Sequence, residues 1–335
     1  MIISLHYILF FFLSIFLTYI LGRFATKIGL VDSPNHRKIH KGDVPLVGGI
    51  NIIILLLLSM YFSNYDFLIL IIICLSILLF FLGLIDDKFT ISPFIKLFFL
   101  ICIVLVLIGF DFKILNYFNE IKSLNFILLS ISPLITVLAI VGMTNAFNFI
   151  DGIDGLCSGL FLITLSSLYV LLIFAGYNIN ELEILNFLFF IVLGFFIVNI
   201  NLLNIGKFFL GDSGSLMLGF FISTLFIYYT SFSEIKIEPT KILWCSTLVI
   251  FDFFAVFLKR IFNRLNPFKP DNTHIHHLLL NYGFSHNKIL IFLLIISTLI
   301  NAIGLSFDYY FNEVLSVCFF IFVFFIYFFF LKKIF

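Results

Sequence analysis

Residues 67–87 read FLILIIICLSILLFFLGLIDD, nineteen positions without a charge that run straight into Asp86-Asp87. As an α-helix that run is about 28 Å long, close to the thickness of a bilayer's hydrocarbon core. It shows no polar–apolar alternation, which excludes a strand of a membrane barrel in favour of a helical bundle. The run is one of many. The 335 residues are 62% hydrophobic and 11% charged, with 51 Phe, and a mean hydropathy of +1.22 lies outside the soluble globular class.

Working outward from residues 67–85, the pattern predicts an all-α integral membrane protein. It is a polytopic bundle of about eleven transmembrane helices, ten if two runs merge. The spans fall near 2–22, 46–62, 67–85, 93–109, 124–143, 158–176, 184–201, 215–231, 241–258, 288–305 and 314–331. The run from Ile2 to Leu21 has no basic residue before it, and Arg23 and Lys27 follow it. It therefore reads as a first span with an outside N-terminus and not as a signal peptide. With that orientation fifteen of the nineteen Lys and Arg face the cytoplasm, against Lys113, Lys122, Lys236 and Lys241 outside. Six of the seven histidines, all but His6, fall on the same inner side. The spans are almost free of ionisable groups and no internal repeat is evident, which argues against a transporter with charges at mid-membrane. Cys74, Cys102, Cys157, Cys245 and Cys318 lie in or beside apolar runs and read as packing residues. The chain reads as one membrane-embedded domain, 1–335.

Five polar motifs interrupt this hydrophobic chain. Asn145-Ala-Phe-Asn-Phe-Ile-Asp-Gly-Ile-Asp-Gly-Leu156 gathers two amides, two carboxylates and two glycines. Asp151 and Asp154 share a face if the stretch is helical, and Gly152 and Gly155 admit a ligand or another chain close to the backbone. Asp86-Asp87 suggests a cation, a base with a raised pKa, or simply a solvated helix end, and Lys96 can return to the same cluster. The loop Asp32–Gly49 carries Arg37-Lys-Ile-His40 and Gly48-Gly49, a glycine pair that lets the backbone approach a ligand. Its bases can hold phosphate or anchor lipid headgroups. Phe209-Leu-Gly-Asp-Ser-Gly-Ser215 places Asp212 at a helix start, where free N–H groups would favour phosphate and the hydroxyls can cap. Asp252 can pair with Lys259 and Arg260 or with another helix. His274-Ile-His-His277 lacks the thiol or carboxylate of a zinc set, so His274, His276 and His277 with Lys259, Arg260 and Arg264 fit a diphosphate better.

In this order, and all on one side, the motifs resemble the bacterial polyprenyl-phosphate N-acetylhexosamine-1-phosphate transferases across about residues 1–305. The Arg37-Lys-Ile-His40 and His-Ile-His-His forms are similar to the WecA/TagO-type branch of the glycosyltransferase 4, MraY-like superfamily. The peptidoglycan branch, whose enzymes transfer phospho-MurNAc-pentapeptide, would show a Thr-Pro-Thr-Met-Gly-Gly loop and three adjacent histidines, and this chain shows neither. Lys259-Arg260 stands where many relatives carry two arginines, so a bidentate fork is lost there.

The resemblance implies transfer of a sugar 1-phosphate, GlcNAc-1-phosphate by default, from a UDP-N-acetylhexosamine to undecaprenyl phosphate with release of UMP. That step starts a lipid-linked surface glycan of the O-antigen, capsule or teichoic-acid linkage type. The implied place is the bacterial inner (cytoplasmic) membrane, with the site on the cytoplasmic face. The implied cofactor is Mg2+, or Mn2+ in its stead, held by Asp212 and Asn148 with Asp151 beside them. Asp154 and Gly152 would read uracil and Phe209 would stack on it. Lys96, His276 and His277 would hold the diphosphate, and His40, His274, Lys259 and Arg260 would add substrate contacts. Asp86 or Asp87 would deprotonate or position the lipid phosphate. The implied partners are the two substrates and the bilayer, with no nucleic acid, and a homodimer by analogy alone. An anion transporter is the rival from another class.

Overall fold

The computed structural model describes residues 5–33, 42–114, 125–233, 235, 237–264 and 273–334, with backbone alone at 125–130 and 333–334. Helix α1 (Leu5–Ile28) leads into a two-stranded antiparallel ribbon, β1 (Val31–Asp32) with β2 (Val44–Pro45). Then come α2 (Gly48–Ser59), α3 (Phe67–Phe89), α4 (Pro93–Gly109), α5 (Asn125–Ile150), α6 (Leu156–Ala175) and α7 (Glu183–Asn199). The second half is α8 (Gly211–Ser231), α9 (Pro239–Cys245), α10 (Thr247–Phe262), α11 (Ile275–Asn281), α12 (His286–Tyr310) and α13 (Glu313–Ile334). By length and hydropathy, seven of these described helices can cross a membrane, and the broken pair α9–α10 makes an eighth. The apolar helices α2, α4 and α7 are shorter, at 12, 17 and 17 residues. This is an all-α, multi-pass membrane protein.

The bundle is built around α8, of whose 21 residues 19 are buried. Its sequence is rich in Gly, Ser and Thr, the residues that let membrane helices approach closely. Gly49 of α2 and Gly83 of α3 both lie against the backbone around Ser213, and Gly219 of α8 lies against Thr144 of α5. A Cβ on Gly83 would stand 2.4 Å from Ser213 Cα, which is backbone and cannot turn aside. Gly83→Ala is therefore expected to cost about 1–3 kcal/mol by overpacking. It should appear as an earlier midpoint in thermal unfolding in detergent; an unchanged midpoint would mean that α3 and α8 separate freely here.

Four sequence expectations are corrected by this packing. The stretch 144–157 is no loop: α5 continues to Ile150, so Asn145 and Asn148 are helical, while Asp151 and Asp154 fall in a turn and not on a shared helix face. Gly48-Gly49 admits α8 and Phe195, not a ligand. The N–H groups opening α8 are not free, because Asp87 accepts from Asp212 N at 2.7 Å and Ser213 N at 3.1 Å. The span expected at 241–258 is broken by an 86° bend between α9 and α10. Asn301 Nδ2 of α12 donates to the Cys245 carbonyl at that break (2.6 Å), as an apolar setting requires of an exposed backbone group.

The bend opens an apolar groove of about 300 Å3 between α5, α8, α9 and α10. Gly142, Met143 and Ala146 of α5, Phe226 of α8, and Ile250 and Phe253 of α10 line it.

Candidate active site

At the end of α3, Thr90 adopts a left-handed conformation (φ 50°) and stops the helix, and Ser92 with Pro93 starts α4. Asp86 Oδ1 accepts from Ile91 N at 2.5 Å and pins that turn. The turn brings Lys96 back onto Asp86, as its spacing suggested. Lys96 Nζ lies 2.6 Å from Asp86 Oδ2 and 3.0 Å from Asp212 Oδ2. The other Asp212 oxygen accepts from Asn148 Nδ2 at 3.1 Å, and the same amide donates to Ser215 Oγ at 2.9 Å. Asp86, Lys96, Asp212 and Asn148 thus form one chain linking α3, α4, α8 and α5. Asp87, next to Asp86, points to the backbone of α8 and anchors Asp212 from behind.

Asp151 follows α5 directly. Burial pushes its carboxyl well above the usual carboxylate range, and the negative charges of Asp212, Asp87 and Asp154 push it further. Four carboxylates, Asp86, Asp87, Asp151 and Asp212, therefore lie close to one another, and Lys96 pairs with two of them, Asp86 and Asp212. That surplus of negative charge, offered by oxygen donors, suits a hard divalent cation. Among the described residues no three His, Cys, Asp or Glu form a complete metal cage. Mg2+ needs none, since it binds through one or two carboxylates, waters and substrate phosphates.

Asp154 pairs with Lys207 at 3.0 Å, the one basic residue of the connection from α7 to α8. Phe209 is fixed through its backbone: its N donates to Pro45 O, and its O accepts from Val47 N and Gly48 N. Asn199, the last residue of α7, joins these pieces. Its Oδ1 accepts from Gly155 N (2.8 Å) and its Nδ2 donates to Phe208 O (2.7 Å). Sequence reasoning missed both Lys207 and Asn199. The available signal was a lone base and, at the end of an apolar run, the first of three closely spaced asparagines.

The histidines sit on α11 and at its start. His276 is wholly buried, and neither ring nitrogen has a partner among the described residues. Its Nε2 lies 2.1 Å from where a Cβ on Gly152 would be. The His276 and His277 rings are 4.1 Å apart. Burial, and then the neighbouring His277, holds the His276 pKa down to about 3, so the ring is neutral. Unfolded, it takes its proton near 6.5. Between those values the unfolded chain binds more protons, so stability falls as pH drops, by up to about 1.4 kcal/mol per pH unit. His276→Gln is expected to flatten that slope in denaturation midpoints compared at pH 7 and pH 5. An unchanged slope would show that the folded ring is not held neutral.

Asp252 turns to the start of another helix, α11, where it accepts from His274 and from Ile275 N. Lys259 and Arg260 close α10, with Arg260 buried. His40 lies outside the described residues.

The family model described as glycosyl transferase family 4 matches residues 68–230. Over 308 residues the chain is 31% identical to the undecaprenyl-phosphate alpha-N-acetylglucosaminyl 1-phosphate transferase of Escherichia coli (strain K12), spanning 90% of this chain and 82% of the relative. The chain belongs to glycosyl transferase family 4. A Yersinia pestis protein of the same description is 30% identical over 305 residues, 88% of this chain and 81% of its own length. A probable undecaprenyl-phosphate N-acetylglucosaminyl 1-phosphate transferase of Bacillus subtilis (strain 168) is 34% identical over 275 residues, 81% and 75% of the two chains. Within family 4 this is the branch that the motifs resemble. The family 4 model's own stretch holds Asp86-Asp87, Asn145–Leu156 and Gly211–Ser215, and so the whole carboxylate cluster.

Proposed function

We propose that this protein transfers a sugar 1-phosphate from a UDP-N-acetylhexosamine, by default UDP-GlcNAc, to undecaprenyl phosphate in the bacterial cytoplasmic membrane. The observation that carries this reading is the meeting of a phosphate-type site with a lipid-type groove on the same two helices. Asn148 of α5 and Asp212 of α8 belong to the charged cluster. Ala146, two residues before Asn148, and Phe226 line the apolar groove. A soluble nucleotide sugar and a lipid phosphate need such a junction. The relatives' names support the acceptor and the sugar.

In this reading an oxygen of the lipid phosphate attacks the phosphorus that bears the sugar. The bond from that phosphorus to the bridging oxygen breaks, and UMP leaves with the electron pair. Asp86 receives or directs the lipid phosphate, while Asp87 holds the start of α8 so that Asp212 stays in place. Lys96 turns from Asp86 and Asp212 to the diphosphate, joined by His276 and His277. Asp154 leaves Lys207 to read uracil with the Gly152 backbone, and Phe209 stacks on the base. His40, His274, Lys259 and Arg260 add phosphate and sugar contacts. Asp212 and Asn148, with Asp151 beside them, would hold Mg2+ or Mn2+, which when bound offsets the charge of the two anions. The isoprenoid chain lies in the groove beside α5.

The arrangement proposed in the membrane is eleven spans, with α2, α4 and α7 among them and the N-terminus outside. The positive-inside distribution supports it. Purified protein in nanodiscs tests the reaction, with undecaprenyl phosphate and a panel of UDP-N-acetylhexosamines. Release of UMP together with a lipid-linked sugar is the expected result. No turnover with any member of the panel would overturn the reading.

A further inference from the structure

Helix α11 has seven residues and no side-chain cap of its own. Such a helix is marginal by itself, so its position has to be imposed from outside. Ile275, Leu278 and Leu279 bury one side of it, and the polar anchor at its start is Asp252, buried on α10 at 1% exposure. Its Oδ1 accepts from Ile275 N, the first residue of α11, at 3.0 Å, and its Oδ2 lies 2.7 Å from His274 Nδ1. A third donor comes from α13, whose Tyr327 hydroxyl reaches Asp252 Oδ1 at 3.0 Å. The Phe251 ring packs against Phe320, Phe324 and Tyr327 and holds α13 on α10. Helix α13 lies beyond every motif that pointed to the site.

We propose that Asp252 and Tyr327 are positioning residues for the histidine motif. A carboxylate accepts only, so His274 donates through Nδ1 and its Nε2 becomes the ring's acceptor. The same carboxylate sets the height of α11, whose first turn places His276 beneath Gly152. The last helix thereby acts on the site without touching substrate. A group of this kind is typically worth about 10- to 100-fold in activity.

The transfer part of the test rests on the proposed function; the spectroscopic part does not. With 15N-histidine protein in nanodiscs, His274 is assigned by the signal lost in His274→Gln. The Nδ1–H tautomer is expected in the wild type and in Tyr327→Phe. In Asp252→Asn the amide can donate to Nδ1, and a shift to Nε2–H is expected. In the transfer assay, kcat is expected to fall about 10- to 100-fold in Asp252→Asn and about 3- to 10-fold in Tyr327→Phe, with KM for UDP-GlcNAc within about twofold. Asp252→Asn should add less than about twofold to the loss in His274→Gln, because both remove one unit. An unchanged tautomer in Asp252→Asn, or losses that multiply fully in the double variant, would make Asp252 a mere structural anchor. Absent turnover in the wild type would overturn the proposed function and leave the tautomer result to stand by itself.

Discussion

Asp212→Ala is expected to lower Mg2+-dependent release of UMP from UDP-GlcNAc, with undecaprenyl phosphate present, by at least about 100-fold. The carboxylate is the point where the cluster converges, accepting from Lys96 on one oxygen and from Asn148 on the other. Its loss leaves Lys96 with Asp86 alone and takes an anionic oxygen from the proposed cation site. The backbone of α8 should survive, because Asp87 holds residue 212 through its N–H and not through its side chain. Thermal unfolding close to wild type should therefore accompany the loss. Asp212→Asn keeps the shape and the Asn148 neighbourhood but removes the charge, and a similar loss is expected. Wild-type turnover in either variant would sink the assignment of Asp212 as a metal ligand.

The second large effect is expected from the smallest change. Gly152→Ala should reduce kcat/KM for UDP-GlcNAc by about 100-fold, the scale of a misplaced catalytic group. The added methyl would lie 2.1 Å from His276 Nε2 and 2.7 Å from its Cδ2. Most clashes at the tip of a side chain are relieved by rotation. Here the ring is wholly buried, with the His277 ring 4.1 Å and the His274 ring 6.2 Å away. Either the ring leaves its place or the turn carrying Asp151 moves. In a His276→Ala background the extra methyl has room, so Gly152→Ala should then add little further loss. If Gly152→Ala alone turned over like the wild type, His276 would have no fixed seat beneath that turn.

The outline of the site was legible because its residues are costly in this setting. Asp86, Asp87, Asn148, Asp151, Asp154 and Asp212 stand out against a chain that is 11% charged. Their division of labour was not legible. Asp86 and Asp87 read as interchangeable side by side, yet successive residues on a helix point about 100° apart. One faces Lys96 and the other the backbone of α8. Asn199 and Tyr327 were missed for a different reason. Each carries its meaning only through partners on other segments, and a polar residue in an apolar run has many innocuous uses.

By itself, the sequence determined that this is a multi-pass helical membrane protein with an oxygen-rich polar site and a family 4 pattern of motifs. Hydropathy and motif order are local properties that add along a chain, so they survive without coordinates. The tertiary structure decided which groups meet. Lys96 and Asp212 are 116 residues apart, and Tyr327 and Asp252 are 75 apart. Their pairing depends on the rotation of each helix, on glycines such as Gly49 and Gly83 that let α8 sink into the bundle, and on the break at Ser246. Those are matters of close packing between distant segments, and no property of a single segment contains them.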